Sequence, residues 1–397
     1  MSPKRTRNNP NRKGSIALVD CVFPEEIMLC ILTRLPVKSI LRFKSVCKPW
    51  AEVFSTREFM KMHQVQYSSE TKNQSFIIHN SAEYMSLFEI ESDETKPTIL
   101  EYPHPKTRNM EIVGCCNGLI CLGRPHLGPG NIVLWNPAMK LFKFVRVSEN
   151  ENFTDTETVS LGFGYDAERD DYKVVRIVCF QEKEEEDNVG VSIDVYSVNT
   201  DSWITIKPDF KFVVFLPQSI AFVNGNPYWV AEVENGDGFM SCRFLVCFDV
   251  RRMVLKAFPM NNRNLDPSYE HVTFIDWKGS LASLVYTRDS DTRVESLYVL
   301  VFDEDDQIWR KVHTFGPIVV DEALVWECSK NEKMLCFKYG RLLMFDPVNG
   351  RVKVYENEQP LLLNRPHLYT EGLTCIKGME SEPEKEENYF LEGPSNN

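Results

Sequence analysis

No stretch of this sequence is apolar over the ~18 or more residues that a membrane-spanning helix needs, and its start lacks the apolar core of a secretory signal. The expectation is a protein of the cytosol or nucleus, where a reducing environment keeps the 12 cysteines as thiols. Paired Cys-x2-Cys knuckles, a phosphate-cradling glycine loop and a His-Glu-x-x-His helix are all missing. Histidine is scarce, at seven in 397 residues, and none lies near a plausible Ser or Cys nucleophile in sequence. Only Cys115, Cys116, Cys121 and His126 cluster, at a spacing unsuited to zinc, and Cys121 sits in an apolar run. Cys121, Cys179, Cys242, Cys247 and Cys336 are expected to pack as small hydrophobes. These gaps point to no catalytic residue, no metal and no cofactor. Positive charge is missing from most of the chain: residues 1–66 carry +7, residues 67–397 carry −19, and the total is −12. A body so acidic repels phosphates, which argues against nucleic acid as partner.

The chain opens on a basic stretch, residues 1–19, with Lys4, Arg5, Arg7, Arg12 and Lys13 and almost nothing to bury. It is expected to be a disordered tail, with nuclear import as its functional alternative. Phe23 to Trp50, FPEEIMLCILTRLPVKSILRFKSVCKPW, is the most telling segment. Pro24 suits a helix start, and Glu25 and Glu26 place negative charge at the positive end of its dipole. Ile27, Met28, Ile31, Leu32 and Leu35 recur at helical spacing. Pro36 opens a second helix with Val37, Ile40, Leu41 and Val46 as its buried stripe, while Lys38, Arg42 and Lys44 stay wet. A third starts near Cys47, carries Trp50, Val53 and Phe54, and tolerates Pro49 in its first turn. Three short helices in some forty residues bury little of their own surface, so a partner is expected to cover them.

This segment resembles an F-box, the helical module by which substrate receptors of cullin-based ubiquitin ligases dock on a Skp-type adaptor. Phe23 stands where that family usually has Leu. The resemblance implies that Pro24, Glu25, Ile27, Leu32, Leu35, Pro36, Leu41, Val46, Cys47 and Trp50 bind the adaptor, in an F-box spanning 20–66. Tyr67 to Gln74 is polar, and a linker is expected over 67–75.

From Phe76 the chain becomes short β-rich runs between turns. A bulky residue is answered by another seven positions later: Trp135 with Phe142, Tyr165 with Tyr172, Tyr196 with Trp203, Phe248 with Leu255, Phe302 with Trp309, Phe345 with Val352. Asn136, Asp166, Asp249, Asp303 and Asp346 follow the first bulky residue, and Ser197 does so in the remaining copy. A short polar side chain there is expected to bond back to its own backbone and turn the strand, so that the two bulky residues meet across a hairpin. If Tyr165 belongs to an inner hairpin, the outer ones begin at 135, 196, 248, 302 and 345, steps of 61, 52, 54 and 43 residues. A weaker copy at Phe88 makes six. The steps bracket the ~50 residues of a kelch-type blade. Trp135, Trp203 and Trp309 are then packing groups, and Gly162 and Gly164 mark a close backbone approach.

GCCNGLICL (114–122), LWNPAMKLFKFV (134–145), GFGYDAERDDYKVVRI (162–177) and IDVYSVNTDSWITI (193–206) resemble the plant F-box-associated domain, often described as kelch-like. The expected architecture is a small all-α F-box followed by an all-β domain over 76–378, a six-bladed β-propeller, with a β-sandwich as the alternative. Ring closure is expected from a strand around Leu373 to Ile376 pairing with the strands near Phe76 to Ile90. Residues 379–397 read as an acidic disordered tail. The runs 181–188, 232–237 and 289–291 read as solvated loops, or as one negative rim that steers a basic target. The resemblance implies the substrate-recognition subunit of a Skp–cullin–F-box ubiquitin ligase, non-catalytic, with the adaptor, cullin and a protein target as partners. A non-degradative scaffold and a propeller enzyme are the alternatives.

Overall fold

The computed structural model describes residues 24–79, 83–124, 132–146, 158–181, 189–214, 216, 218–234, 241–260, 272–288, 295–315, 324–329, 331–338, 341–356 and 365–383. The basic stretch 1–19, His126, and most of the acidic runs and the C-terminal tail lie outside them, but the start of the expected disordered tail is ordered, since Glu380–Ser381 pairs with the last strand of the second blade.

Four helices come first: α1 (Glu25–Leu32), α2 (Val37–Lys44), α3 (Lys48–Val53) and α4 (Arg57–Ser69). Pro24 and Pro36 sit immediately before α1 and α2, and Pro49 falls in the first turn of α3, where no donor is missed. Helix α4 was not expected. It starts at Thr56, whose hydroxyl accepts from the Phe59 amide at 3.2 Å, and it fills most of the stretch expected to end the F-box and begin a linker. The true connection is a single 3-10 turn, Thr71–Asn73.

Six antiparallel sheets follow, and they form the blades of a propeller rather than the two faces of a sandwich. Blade 2 is Glu111–Cys116, Leu119–Gly123, Ile132–Asn136 and Leu141–Val145. Blade 3 is Thr158–Asp166, Asp171–Gln181, Val189–Ser197 and Ser202–Ile206. Blade 4 is Ala221–Val223, Asn226–Glu234, Ser241–Asp249 and Val254–Pro259. Blade 5 is Val272–Trp277, Ser280–Arg288, Glu295–Asp303 and Ile308–Phe315. Blade 6 is Leu324–Cys328, Met334–Lys338, Arg341–Asp346 and Arg351–Val354. Blade 1 joins both ends of the domain: His367–Thr370 is its first strand, then Gln74–His79, Tyr84–Glu89 and Thr98–Glu101. The ring is therefore closed by residues 367–370, upstream of the expected 373–376, because the latter segment is drawn away to the helices.

Six apolar cores separate the blades. One lies at each interface, including that between blades 6 and 1, where Leu335, Leu342 and Met344 meet Phe76, Ile78 and Phe88. The expected hairpins are present. Each of the six bulky pairs is a cross-strand pair, with Tyr165 and Tyr172 in the inner hairpin of blade 3 and the other five in outer hairpins. The polar residue turns the chain as expected: Asn136 accepts from the Met139 amide, Asp166 from Glu168, Asp249 from Arg252, Asp303 from Asp305 and Asp346 from Val348, at 2.9 to 3.1 Å. Four residues later the chain enters the left-handed region at Lys140, Asp170, Asp201, Met253, Gln307 and Gly350. Only the last is glycine. Gly162 has the expected close neighbour, since a Cβ there would lie 2.4 Å from the Trp229 ring of blade 4.

Candidate functional site: the helical end of the propeller

The helices share one apolar cluster in which Leu32, Val37, Ile40, Val53, Phe54 and Phe59 are buried. An aromatic series runs from it toward the propeller: Phe43, Trp50, Phe54, Phe59, His63 and Tyr67, with successive centroids 4.9 to 6.3 Å apart. His63 is bonded through Nε2 to the Leu35 carbonyl at 2.8 Å, and burial lowers its pKa. The propeller also contributes to this cluster: Leu373 is 1% exposed within it, and Ala138 and Met139 pack against it. The helices thus fill part of their missing core from their own chain, which narrows the expectation that a partner must cover them. What stays uncovered is a face, not a core.

That face is specific. Ile27 and Ile31, one turn apart on α1, are 48% and 50% exposed, and Val46, expected in the buried stripe of the second helix, lies two residues past the end of α2 and is 66% exposed. Pro24 and Pro36 are exposed beside the starts of α1 and α2, and Glu25 is the first residue of α1. Leu35, Leu41, Cys47 and Trp50 are half-buried, and Trp50 stands edge-on between Phe43 and Phe54. Leu32 differs: at 3% exposure it belongs to the helices' own core. Ile31 was absent from the expected contact set, although its place four residues after Ile27 puts the two on one face. Lys38 and Arg42 are exposed and Lys44 is half-buried.

The helices rest on one end of the propeller. Lys61 pairs with Asp170 in a blade 3 turn at 3.1 Å, and Gln64 lies against the strap 371–376 and the turn at Asn117. Inner turns at Asn117–Gly118, Asn224–Gly225 and Lys278–Gly279 each have two positive φ values, the signature of two-residue hairpins. These Asn-Gly and Lys-Gly pairs were readable signals of the inner strands.

A cavity of about 240 Å³ lies along the propeller axis and is roofed by Gln64 and Ser68 of α4. Arg365 of blade 1 crosses it, donating to the Phe274 carbonyl of blade 5 at 2.8 Å and lying 3.7 Å from Glu327 of blade 6. Burial pushes the Glu327 carboxyl up to about 7, and burial with the Arg365 charge pulls His367 down to about 3. The guanidinium is engaged in tying blades together. Cys115, Cys116 and Cys121 line or adjoin this region, and burial pushes all three thiols up, Cys116 to about 12, which keeps them from acting as nucleophiles. Cys179, Cys247 and Cys336 are buried as expected; the Cys242 side chain lies outside the described residues. Among the described residues no three His, Cys, Asp or Glu converge as metal ligands would.

Comparison with known proteins agrees with this architecture. Residues 85–345, well over half of the chain, match the F-box associated beta propeller domain, and residues 21–62 match the F-box domain. An F-box/kelch-repeat protein of Arabidopsis thaliana is 29% identical over 83% of this chain and 88% of its own length. A putative F-box protein of the same plant is 29% identical over 59% of this chain and 91% of its own. Among solved structures, the Dos1 propeller aligns over 75% of this chain and 72% of its own at 10% identity with a TM-score of 0.32, a likeness too slight to bear on function. The chain belongs to the F-box associated beta propeller family, with an F-box domain ahead of its propeller.

Proposed function

We propose that this protein is the substrate-recognition subunit of a Skp–cullin–F-box ubiquitin ligase, working in the cytosol or nucleus. The observation that carries the reading is the exposure of Ile27 and Ile31, one turn apart on α1, together with Val46, within the segment that matches the F-box domain. Large apolar side chains left in water are stabilised by ~1.5 to 3 kcal/mol each when a partner buries them. The adaptor docks there, and cullin follows through the adaptor.

Strand direction separates the two faces of the propeller. The strands of each blade alternate, so first-to-second and third-to-fourth turns open on one face and the other connections on the opposite face. The helices occupy the former, at Asn117, Ala138 and Asp170. Among the described residues no helix lies on the opposite face, and the target is proposed to bind there. The acidic runs at 182–188, 235–237 and 289–291 lie outside the described residues, and the strands flanking them end at that free face. The chain itself performs no bond chemistry. It holds the target near the charged ubiquitin-conjugating enzyme, and the rate gain comes from effective concentration.

The test is capture of a purified Skp-type adaptor. Leu35→Asp is a poor probe, because Leu35 is half-buried against the helical core. Ile27→Glu with Ile31→Glu changes only exposed positions; capture is expected to fall at least about tenfold with the thermal midpoint nearly unchanged. Full capture by the double variant would refute the docking reading. With docking established, targets that accumulate when the cullin is blocked distinguish a ligase receptor from a scaffold.

A further inference from the structure

After its closing strand, His367–Thr370, the chain does not leave the propeller but runs back along the helical end as a strap. The Glu371 carboxyl comes up to the Val37 amide at the start of α2, where Pro36 offers no side-chain cap. Gly372 passes between α4 and blade 2: a Cβ on it would lie 2.5 Å from Gln64 Oε1 and 2.6 Å from the Asn117 carbonyl. The turn it crosses is Gly118, whose own added Cβ would lie 2.5 Å from the Gly372 nitrogen. Two glycines meet where no side chain fits. Leu373 then enters the helical core.

Beyond Leu373 the strap returns to blades 2 and 3. Asn136, fully buried, donates to the Gly372 and Thr374 carbonyls at 2.9 and 2.8 Å, and the Thr374 hydroxyl donates to the Asn117 carbonyl at 2.6 Å. Ile376 joins the core between blades 2 and 3. Glu380 and Ser381 add a fifth strand to blade 2, and the Trp135 indole donates to Glu382 at 2.8 Å. Leu373 is therefore held from both sides by segments anchored in the propeller, while its side chain belongs to the helices.

We propose that Leu373, carried on this strap, is a positioning residue: it locks the F-box in one orientation on the propeller and so fixes the gap across which ubiquitin reaches the bound target. The proposal deepens the receptor reading and rests on it for the consequence, but the lock is a property of the chain alone. Flexible attachment by the single turn 71–73 would let the helices swing. The Lys61–Asp170 pair and the packing of Ala138 and Met139 already steady them, and the strap adds a covalently continuous attachment some 300 residues later in the chain, so that a body tied at several separated points loses most of its rotational freedom.

Two measurements separate the lock from the receptor reading. In the full chain alone, hydrogen–deuterium exchange compares wild type with Leu373→Asp and the milder Leu373→Ala. Amides of α1 to α4 are expected to exchange at least about tenfold faster in the Asp variant and less so in the Ala variant, with blades 3 to 5 unchanged. Unchanged exchange in the helices, or an equal rise across all blades, would overturn the proposal. In the second arm, small-angle scattering of the Leu373→Ala chain bound to a purified Skp-type adaptor is expected to show a broader distribution of overall dimensions than wild type, at similar adaptor affinity. A distribution as narrow as wild type, or adaptor affinity lost in step with helix exchange, would reduce Leu373 to a residue of the helical core. If wild type binds no adaptor, the receptor reading fails while the first arm still judges the lock.

Discussion

One position of the hairpin repeat does different work in different blades. Asp346 at the blade 6 hairpin accepts from the Val348 and Asn349 amides in water, and its loss affects a local turn. Asn136, at the same place in blade 2, makes the same turn bond and also satisfies two carbonyls of the strap, fully buried. Removing a solvated turn bond costs about 0.5–1.5 kcal/mol, whereas stranding buried carbonyls adds about 1–3 kcal/mol. Urea unfolding of Asp346→Ala and Asn136→Ala is thus expected to show a clearly larger loss for the latter, and equal losses would contradict the burial of Asn136. Residue type is part of the difference: among these turn residues only Asn136 carries a side-chain amide that can donate to the strap carbonyls, whereas the Asp346 carboxylate only accepts. The turn chemistry was legible because Asp and Asn bond locally; the strap bonds were not, since Gly372 and Thr374 lie more than 230 residues away. Ile31 and Leu32 show the same limit. Both fit the apolar spacing of α1, yet one faces water and its neighbour the core.

At the scale of elements, the strands of blades 2 to 6 were readable because each outer hairpin repeats a bulky pair around a fixed turn. Two elements were not. Helix α4 buries Phe59, His63 and Tyr67, a stripe in which a histidine and a tyrosine take core positions, so its polar composition concealed its role. The closing strand has only four residues, and its pairing partner lies about 290 residues away in sequence. Closure nevertheless governs stability. A chain ending at Tyr355 loses the first strand of blade 1 and leaves the Gln74–His79 edge unpaired. Its thermal midpoint is expected to fall by several degrees or more, and an unchanged midpoint would show that the ring does not depend on 367–370. A chain ending at Thr370 keeps the closing strand and loses the strap. It is expected to retain most blade stability while its helices loosen, a split readable by exchange of the two regions.

The whole molecule carries opposed titrations, one group in the helical core and two beside the propeller axis. His63 and His367 resist protonation in the folded chain, so the unfolded chain binds more protons below about pH 6.5, and their contribution to stability, complete above that pH, is lost as the medium acidifies, toward about 3 for His367. Glu327 acts in the other sense. With its folded pKa raised to about 7, the folded chain holds the extra proton, and the stabilisation is complete below the ordinary glutamate range and lost as pH rises through about 7. Glu327→Gln is therefore expected to gain stability relative to wild type on going from pH 5 to pH 8, by about 1–3 kcal/mol in urea unfolding. A constant difference between the two proteins across that range would show that the carboxyl is not desolvated. Arg365 faces both groups and stays charged throughout, so it leaves the direction of each effect intact.

Because one late segment, 367–373, both completes blade 1 and enters the helical cluster, synthesis on the ribosome imposes an order of events. The helices emerge first and wait for some three hundred further residues before Leu373 exists. A nascent chain, or one cut short by a premature stop, has an open ring and an unfilled helical cluster together. Any chain stopped before residue 367 is therefore expected to pair two defects, an unpaired edge on blade 1 and a gap in the helical core, which the stretch 367–373 repairs in one step.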